Sequence, residues 1–268
     1  MATPILATTG AARTRDGRSI SFWAAGPHDG FPVVYCHGAI GSPRWRRPQL
    51  EQLIQRLGIR YLVVNRPGFG GSDPRPGRTV ADFAADLEDL IDALGYERFS
   101  IVGVSAGAPY ALACGWAMPG RIAALTVVSP LGPASGPGSS PSARYAVPLI
   151  AFGRPSAGPA CADFYLRALR LRAQTEPQAM IDDYLVCRSH WGFETRDIRS
   201  RVIVWHGRSD RLIPLAHALR LAGEIPAAAT HIDPSGGHFF YSRRLLEILG
   251  PLVPAGQGQS ARQLLRAA

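Results

Sequence analysis

Ser105, Asp210 and His238 are the residues whose types and placement could together perform nucleophilic chemistry. Ser105 is the centre of Gly103-Val104-Ser105-Ala106-Gly107, which follows a run of strand character and leads into a helical one. A serine hydroxyl attacks poorly at its own pKa and needs a base, itself oriented by a third group. The strand-to-helix context supplies the rest: a sharp, strained turn lifts the hydroxyl clear of a sheet, and glycines flank it where side chains would clash. The helix N-terminus and the Ala106 N–H then face any negative charge that develops.

Asp210 stands in Trp205-His206-Gly207-Arg208-Ser209-Asp210, after the strand-like run 201–205, and His238 stands in Gly236-Gly237-His238-Phe239, after the last such run. Both positions fall after strand C-termini, the edge at which open α/β sheets bind ligands. The order serine, aspartate, histidine also fits a nucleophile placed at such a turn. Rivals exist within the same stretches. His206 is a second candidate base, although a His-Gly pair at a strand end suits a structural role. Asp233 is a second candidate orienter, only five positions before His238. An acid after the earlier strand is another arrangement, but that place reads Ser129-Pro130. His190 and Trp191 suit packing at a hinge, with His190 as a further candidate for lining a pocket, and Cys36 suits the core.

The elements that must position these groups alternate. A hairpin is expected over 14–24, with Asp16-Gly17 as a two-residue turn. Short apolar runs at 32–36, 61–64, 99–104 and 125–128 lack polar alternation, as strands covered on both faces do. Between them, 49–57 and 80–94 have helical spacing, the latter with Asp82, Asp86, Glu88 and Asp89 expected on its wet face and Gly95 as C-cap. Helix 108–117 is small and apolar. Residues 130–160 break the rhythm with Pro130, Pro133, Pro137, Pro141, Pro148, Pro155 and Pro159. Helical segments at about 161–173 and 177–187 follow. Strands at 201–205 and 230–233 resume the pattern, a last helix runs 242–249, and the tail after Pro254 is expected to fray. This order predicts an α/β fold with a mostly parallel sheet.

At 268 residues the chain is long enough for one catalytic unit with an insertion. All 29 basic residues are arginine and outnumber 20 acids, giving a net charge of +9. Such a surplus can mark a nucleic-acid partner. Here the arginines are scattered, apart from Arg44, Arg46 and Arg47 and a stripe of Arg167, Arg170 and Arg172, so no nucleic-acid partner is expected. With no lysine in the chain, Schiff-base catalysis by a protein lysine is excluded. Cys36, Cys114, Cys161 and Cys187 have neither metal-ligand nor CxxC spacing and are expected to be free thiols. The N-terminus does not resemble a secretory signal, and no apolar run approaches the roughly 18 residues of a membrane span, so a cytoplasmic location is expected.

Four spaced motifs resemble those of the α/β-hydrolase fold superfamily, in particular small capped serine hydrolases of the kind common in actinobacteria. These are the Ser105 pentapeptide, His37-Gly38-Ala39, Asn65-Arg66-Pro67-Gly68-Phe69-Gly70-Gly71-Ser72-Asp73 and Trp191-Gly192-Phe193 with Asp197-Ile198. Asn65 departs from the usual aspartate. The resemblance covers nearly the whole chain. It implies a mostly parallel α/β-hydrolase sheet flanked by helices, in core parts 1–130 and 198–268 with a small helical cap inserted at 131–197. It implies Ser105, Asp210 and His238 as a triad, the Ala39 and Ala106 backbone N–H groups as an oxyanion hole, and neither cofactor nor metal. Ile40, Phe152, Phe164, Tyr165, Trp191 and Phe239 are the expected pocket residues, and their apolar character favours a small carboxylic ester as the small-molecule substrate. A C–C hydrolase of a diketone, and behind it a perhydrolase or lyase, are the enzymatic alternatives. A ligand-binding receptor that has lost turnover is the non-enzymatic one.

Overall fold

The computed structural model describes residues 8–39, 41, 48–133, 171 and 174–255. Eight strands form one sheet: β1 (Thr8–Arg13), β2 (Ser19–Ala25), β3 (Phe31–Cys36), β4 (Ile59–Val64), β5 (Phe99–Val104), β6 (Ile122–Val128), β7 (Val202–Gly207) and β8 (Ala228–Asp233). Their spatial order is β1-β2-β4-β3-β5-β6-β7-β8. Only the pairs β1·β2 and β2·β4 are antiparallel. From β4 to β8 every neighbour runs parallel, so these six strands end at one edge.

Alternation along each strand explains the layers. On β4, Leu62 and Val64 join one core with Val34, Cys36 and Ile101, whereas Ile59, Tyr61 and Val63 join the other with Val33, Val102 and Val104. The first core is covered by α2 (Asp82–Ala93), α3 (Ala108–Ala117) and α5 (Leu215–Glu224). The second is covered by α1 (Pro48–Leu57) and α6 (Leu245–Leu249). Every residue of β4 and β5 is buried, which is why both strands are mostly apolar, with Arg60 and Ser100 as their buried polar exceptions. A further helix, α4 (Pro177–Arg188), lies in the segment expected as a cap.

Three local expectations are corrected. The β1–β2 connection is not a two-residue turn. Thr14 N–H donates to Arg18 O (2.9 Å), leaving Arg15, Asp16 and Gly17 as the loop, with Gly17 at φ 84°. Thr14 Oγ1 and Arg18 Nε both donate to the Asp16 carboxylate (2.6 and 2.9 Å), which favours the longer loop. Asp86 is not on a wet face: it is buried on α2, where Arg18 and Arg75 supply its partners from outside the helix. The last helix is shorter than expected, because Phe240–Arg243 form a tight 3-10 turn before α6 begins at Leu245. Gly95 does cap α2, with φ 75° and with Tyr96 N–H reaching back to Ile91 O (3.1 Å). Cys36, Cys114 and Cys187 are buried free thiols, and Cys161 lies outside the described residues. Among the described residues no helix is long and apolar enough to cross a membrane.

Candidate active site

The loops after β3, β5, β6, β7 and β8 meet at the sheet's C-terminal edge. Ser105 follows β5 at φ 57° and opens a 3-10 turn, Ser105–Gly107, that runs straight into α3. The flanking glycines are sterically required. A Cβ on Gly103 would stand 2.7 Å from Ala111 Cβ, and one on Gly107 only 2.1 Å from Cys36 O. Gly107 therefore packs α3's first turn directly against the end of β3, where His37, Gly38 and Ala39 follow. Gly38 lies against the candidate nucleophile: its Cβ position is 3.4 Å from Ser105 Cβ and 4.0 Å from Oγ.

Asp210 and His238 are brought together by backbone packing between their loops. Arg208 N–H donates to Asp233 O (2.9 Å) and Ser209 N–H to Gly236 O (2.8 Å). A Cβ on Gly207 would lie 2.3 Å from Gly236 O, so glycine is needed there. His238 Nδ1 donates to Asp210 Oδ2 at 2.8 Å, with both residues buried. Asp210 Oδ1 accepts from Leu212 and Ile213 N–H (2.8 and 2.9 Å). Burial pushes the Asp210 carboxyl upward, but His238, the Ile213 N–H and His206 together outweigh it and leave the pKa below the ordinary value. Asp210 is thus a fixed anion at the Nδ1 edge of the imidazole.

Ser129 joins the two halves. It is buried, and with Ser105 it is one of two non-glycine residues at positive φ among the described residues (46°). Its Oγ donates to His238 O (3.2 Å), and two residues later Leu131 N–H donates to Ser105 O (3.2 Å). A strained buried serine holding the backbone of the candidate base is a feature that sequence reading noticed only as the lack of a carboxylate. Among the described residues Ser105 Oγ makes no hydrogen bond.

The rival residues fall elsewhere. His206 is fully buried, with Nε2 donating to Ile213 O (3.0 Å) and standing 3.5 Å from Asp210 Oδ2, so it backs the aspartate. Asp233 binds Ser235 N–H and Arg244. His190 pairs with Glu194 on the surface, at the rim of a cavity that both line. Trp191 is buried, its Nε1 donating to Cys187 O (3.0 Å) and its ring beside Phe193, and it lines the same cavity together with His190, Phe193 and Arg220. Phe239 stands edge-on to the His238 ring at 5.0 Å. Ala39 and Ala106 are both half-buried. Ile40, Phe152, Phe164 and Tyr165 lie outside the described residues. Asn65 is buried and donates from Nδ2 to Ser21 Oγ (2.8 Å) and Gly70 O (3.3 Å), contacts that an aspartate could not donate to. Among the described residues no group of three His, Cys, Asp or Glu could hold a metal ion.

A histidine missed in the sequence, His217 on α5, accepts the Gly132 N–H at Nδ1 (2.9 Å). Burial is the main cause that lowers the pKa of both His206 and His217 below 6.5. Unfolding releases two imidazoles that take up protons the folded chain refuses. Their stabilising effect is complete above about pH 6.5 and is lost as pH falls from there toward the lower folded values, at up to about 1.4 kcal/mol per pH unit for each group. The urea midpoint should therefore drop between about pH 7.5 and pH 5.5. A midpoint that stays constant over that range would refute the assignment.

Residues 32–159 match the family model described as alpha/beta hydrolase fold. In sequence the chain is similar to a 2-hydroxy-6-oxo-2,4-heptadienoate hydrolase of Pseudomonas putida, 27% identical over 78% of this chain and 83% of that one. It is also similar to a non-heme chloroperoxidase of Streptomyces lividans, 29% identical over 82% and 89%. In structure it is similar to an esterase from Rhodococcus, with a TM-score of 0.74 at 22% identity over 90% and 96% of the two chains.

Proposed function

We propose that this chain, which has the α/β-hydrolase fold and matches that family's model over residues 32–159, is a serine hydrolase acting through an acyl-enzyme on a small apolar carboxylic ester. The observation that carries this is the 2.8 Å bond from His238 Nδ1 to Asp210, at the same sheet edge as the strained Ser105. His238 Nε2 takes the Ser105 proton as Oγ attacks the ester carbonyl. Asp210 holds the imidazole and balances its positive charge. The N–H groups of Ala39 and Ala106 receive the oxyanion, each being worth about 2.7 to 4 kcal/mol in sites of this kind. Collapse expels the alcohol, protonated by His238, and water repeats the sequence to release the acid. The segment 131–197 acts as the cap that shapes the pocket.

A second reading is favoured by the similarity to the Pseudomonas putida dienoate hydrolase: cleavage of a C–C bond beside a carbonyl, with the same residues. A panel separates the two. Short-chain p-nitrophenyl esters should turn over with kcat/KM at least about tenfold above any 6-oxo-dienoate. Faster turnover of the dienoate would move the assignment to C–C cleavage. Turnover of neither class, with Ser105 unreactive, would favour a ligand-binding role.

A further inference from the structure

Arg66 is completely buried and lies between helix α4 and the loop after β3. On the α4 side it makes a two-pronged ion pair with Asp183, Nε to Oδ1 at 2.9 Å and Nη2 to Oδ2 at 2.8 Å. Tyr110 Oη donates to the same carboxylate (2.6 Å), and Arg78 stands 3.7 Å from it. On the other side Arg66 Nη1 donates to His37 O, and Nη2 reaches Gly38 O at 3.4 Å. Gly38 O also accepts from His37 Nδ1 (2.9 Å) and from Gly41 N–H (3.1 Å). The guanidinium is packed between Tyr110 and Phe69, 4.8 and 5.3 Å from their ring centroids, so it has little freedom to turn.

The consequence follows from peptide geometry. In a planar trans peptide the C=O of one residue and the N–H of the next point in opposite directions. A cation that draws the His37 and Gly38 carbonyls to its side turns the Gly38 and Ala39 N–H groups away from itself. Donors gathered on Gly38 O also polarise that peptide and strengthen its N–H as a donor. Gly38 is the residue lying against Ser105.

We propose that Arg66, held by Asp183 of α4, is a positioning residue for the oxyanion hole, aiming the Ala39 N–H and coupling it to the segment that covers the site. This rests on the acyl-enzyme reading above. It is tested with an alkyl trifluoromethyl ketone carrying carbon-13 at its carbonyl, which forms a tetrahedral hemiketal oxyanion on a reactive serine. Wild type is compared with Asp183→Asn, Arg66→Lys and Arg66→Met, so that loss of folding in one variant leaves the others to decide. In the folded variants kcat should fall about 10- to 100-fold, a fraction of the loss on deleting an oxyanion donor, with KM changed less than about threefold. The inhibitor should weaken in proportion, and the carbon-13 resonance should report a raised pKa for the hemiketal oxyanion. Variants that melt earlier but keep wild-type kcat and hemiketal pKa would overturn the inference, leaving the acyl-enzyme reading intact. Failure of wild type to form the Ser105 hemiketal would overturn both.

Discussion

Ser105→Ala should reduce kcat by about 10⁶, to the level of background binding and oxyanion stabilisation. Among the described residues the nearby thiols cannot take over: Cys187, beside Ala106, is buried and its pKa is pushed up by burial. Cys36, the closest thiol in sequence to the loop after β3, is buried, and burial pushes its pKa up to about 12, so it carries no thiolate at neutral pH. The variant should fold, since Ser105 is half-buried and its side chain makes no hydrogen bond among the described residues. Circular dichroism and steady-state kinetics on one preparation check both halves. Retained turnover in a folded variant would remove Ser105 from the chemistry.

Asp210→Asn should cost about 10⁴ in kcat while leaving the architecture in place. Asp210 Oδ1 is already claimed by the Leu212 and Ile213 N–H groups. An asparagine would keep its carbonyl oxygen there and turn its amide toward His238 Nδ1. That nitrogen would then have to accept rather than donate, so the proton would move to Nε2, the nitrogen meant to receive the Ser105 proton. Asp233→Asn is the matched control. Its carboxylate serves Ser235 and Arg244, and kcat should stay within about threefold. Equal losses in the two variants would mean that the aspartates act through folding rather than through the base.

What could be read from sequence was whatever depends on local chain geometry. Gly103 and Gly107 announce a turn in which a Cβ cannot fit, and the strand before it is buried on both faces, so Ser105 was placed by its immediate neighbours. Asp210 and His238 were legible as loop residues after strand ends, because glycines such as Gly207 mark where those loops pack backbone to backbone. Partners far along the chain were not. Asp86 reads as a wet-face acid until Arg18 and Arg75 arrive from other segments. Arg66 reads as one letter of a turn motif until Asp183, 117 residues later, closes on it. Trp191 reads as a pocket aromatic, and its bond to Cys187 O, from the preceding helix, is a contact that its sequence position does not announce. The substrate preference rested mainly on Phe152, Phe164 and Tyr165, which lie outside the described residues.

The central claim is that Ser105 becomes acylated because His238, held by Asp210, deprotonates it. Its most direct test is intact mass spectrometry after a brief exposure to a fluorophosphonate, followed by peptide mapping of the adduct. One phosphonyl group on the peptide containing Ser105 is expected, with labelling abolished in Ser105→Ala and slowed at least about a thousandfold in His238→Ala. An unmodified wild-type protein, or an adduct that persists in Ser105→Ala, would contradict the account.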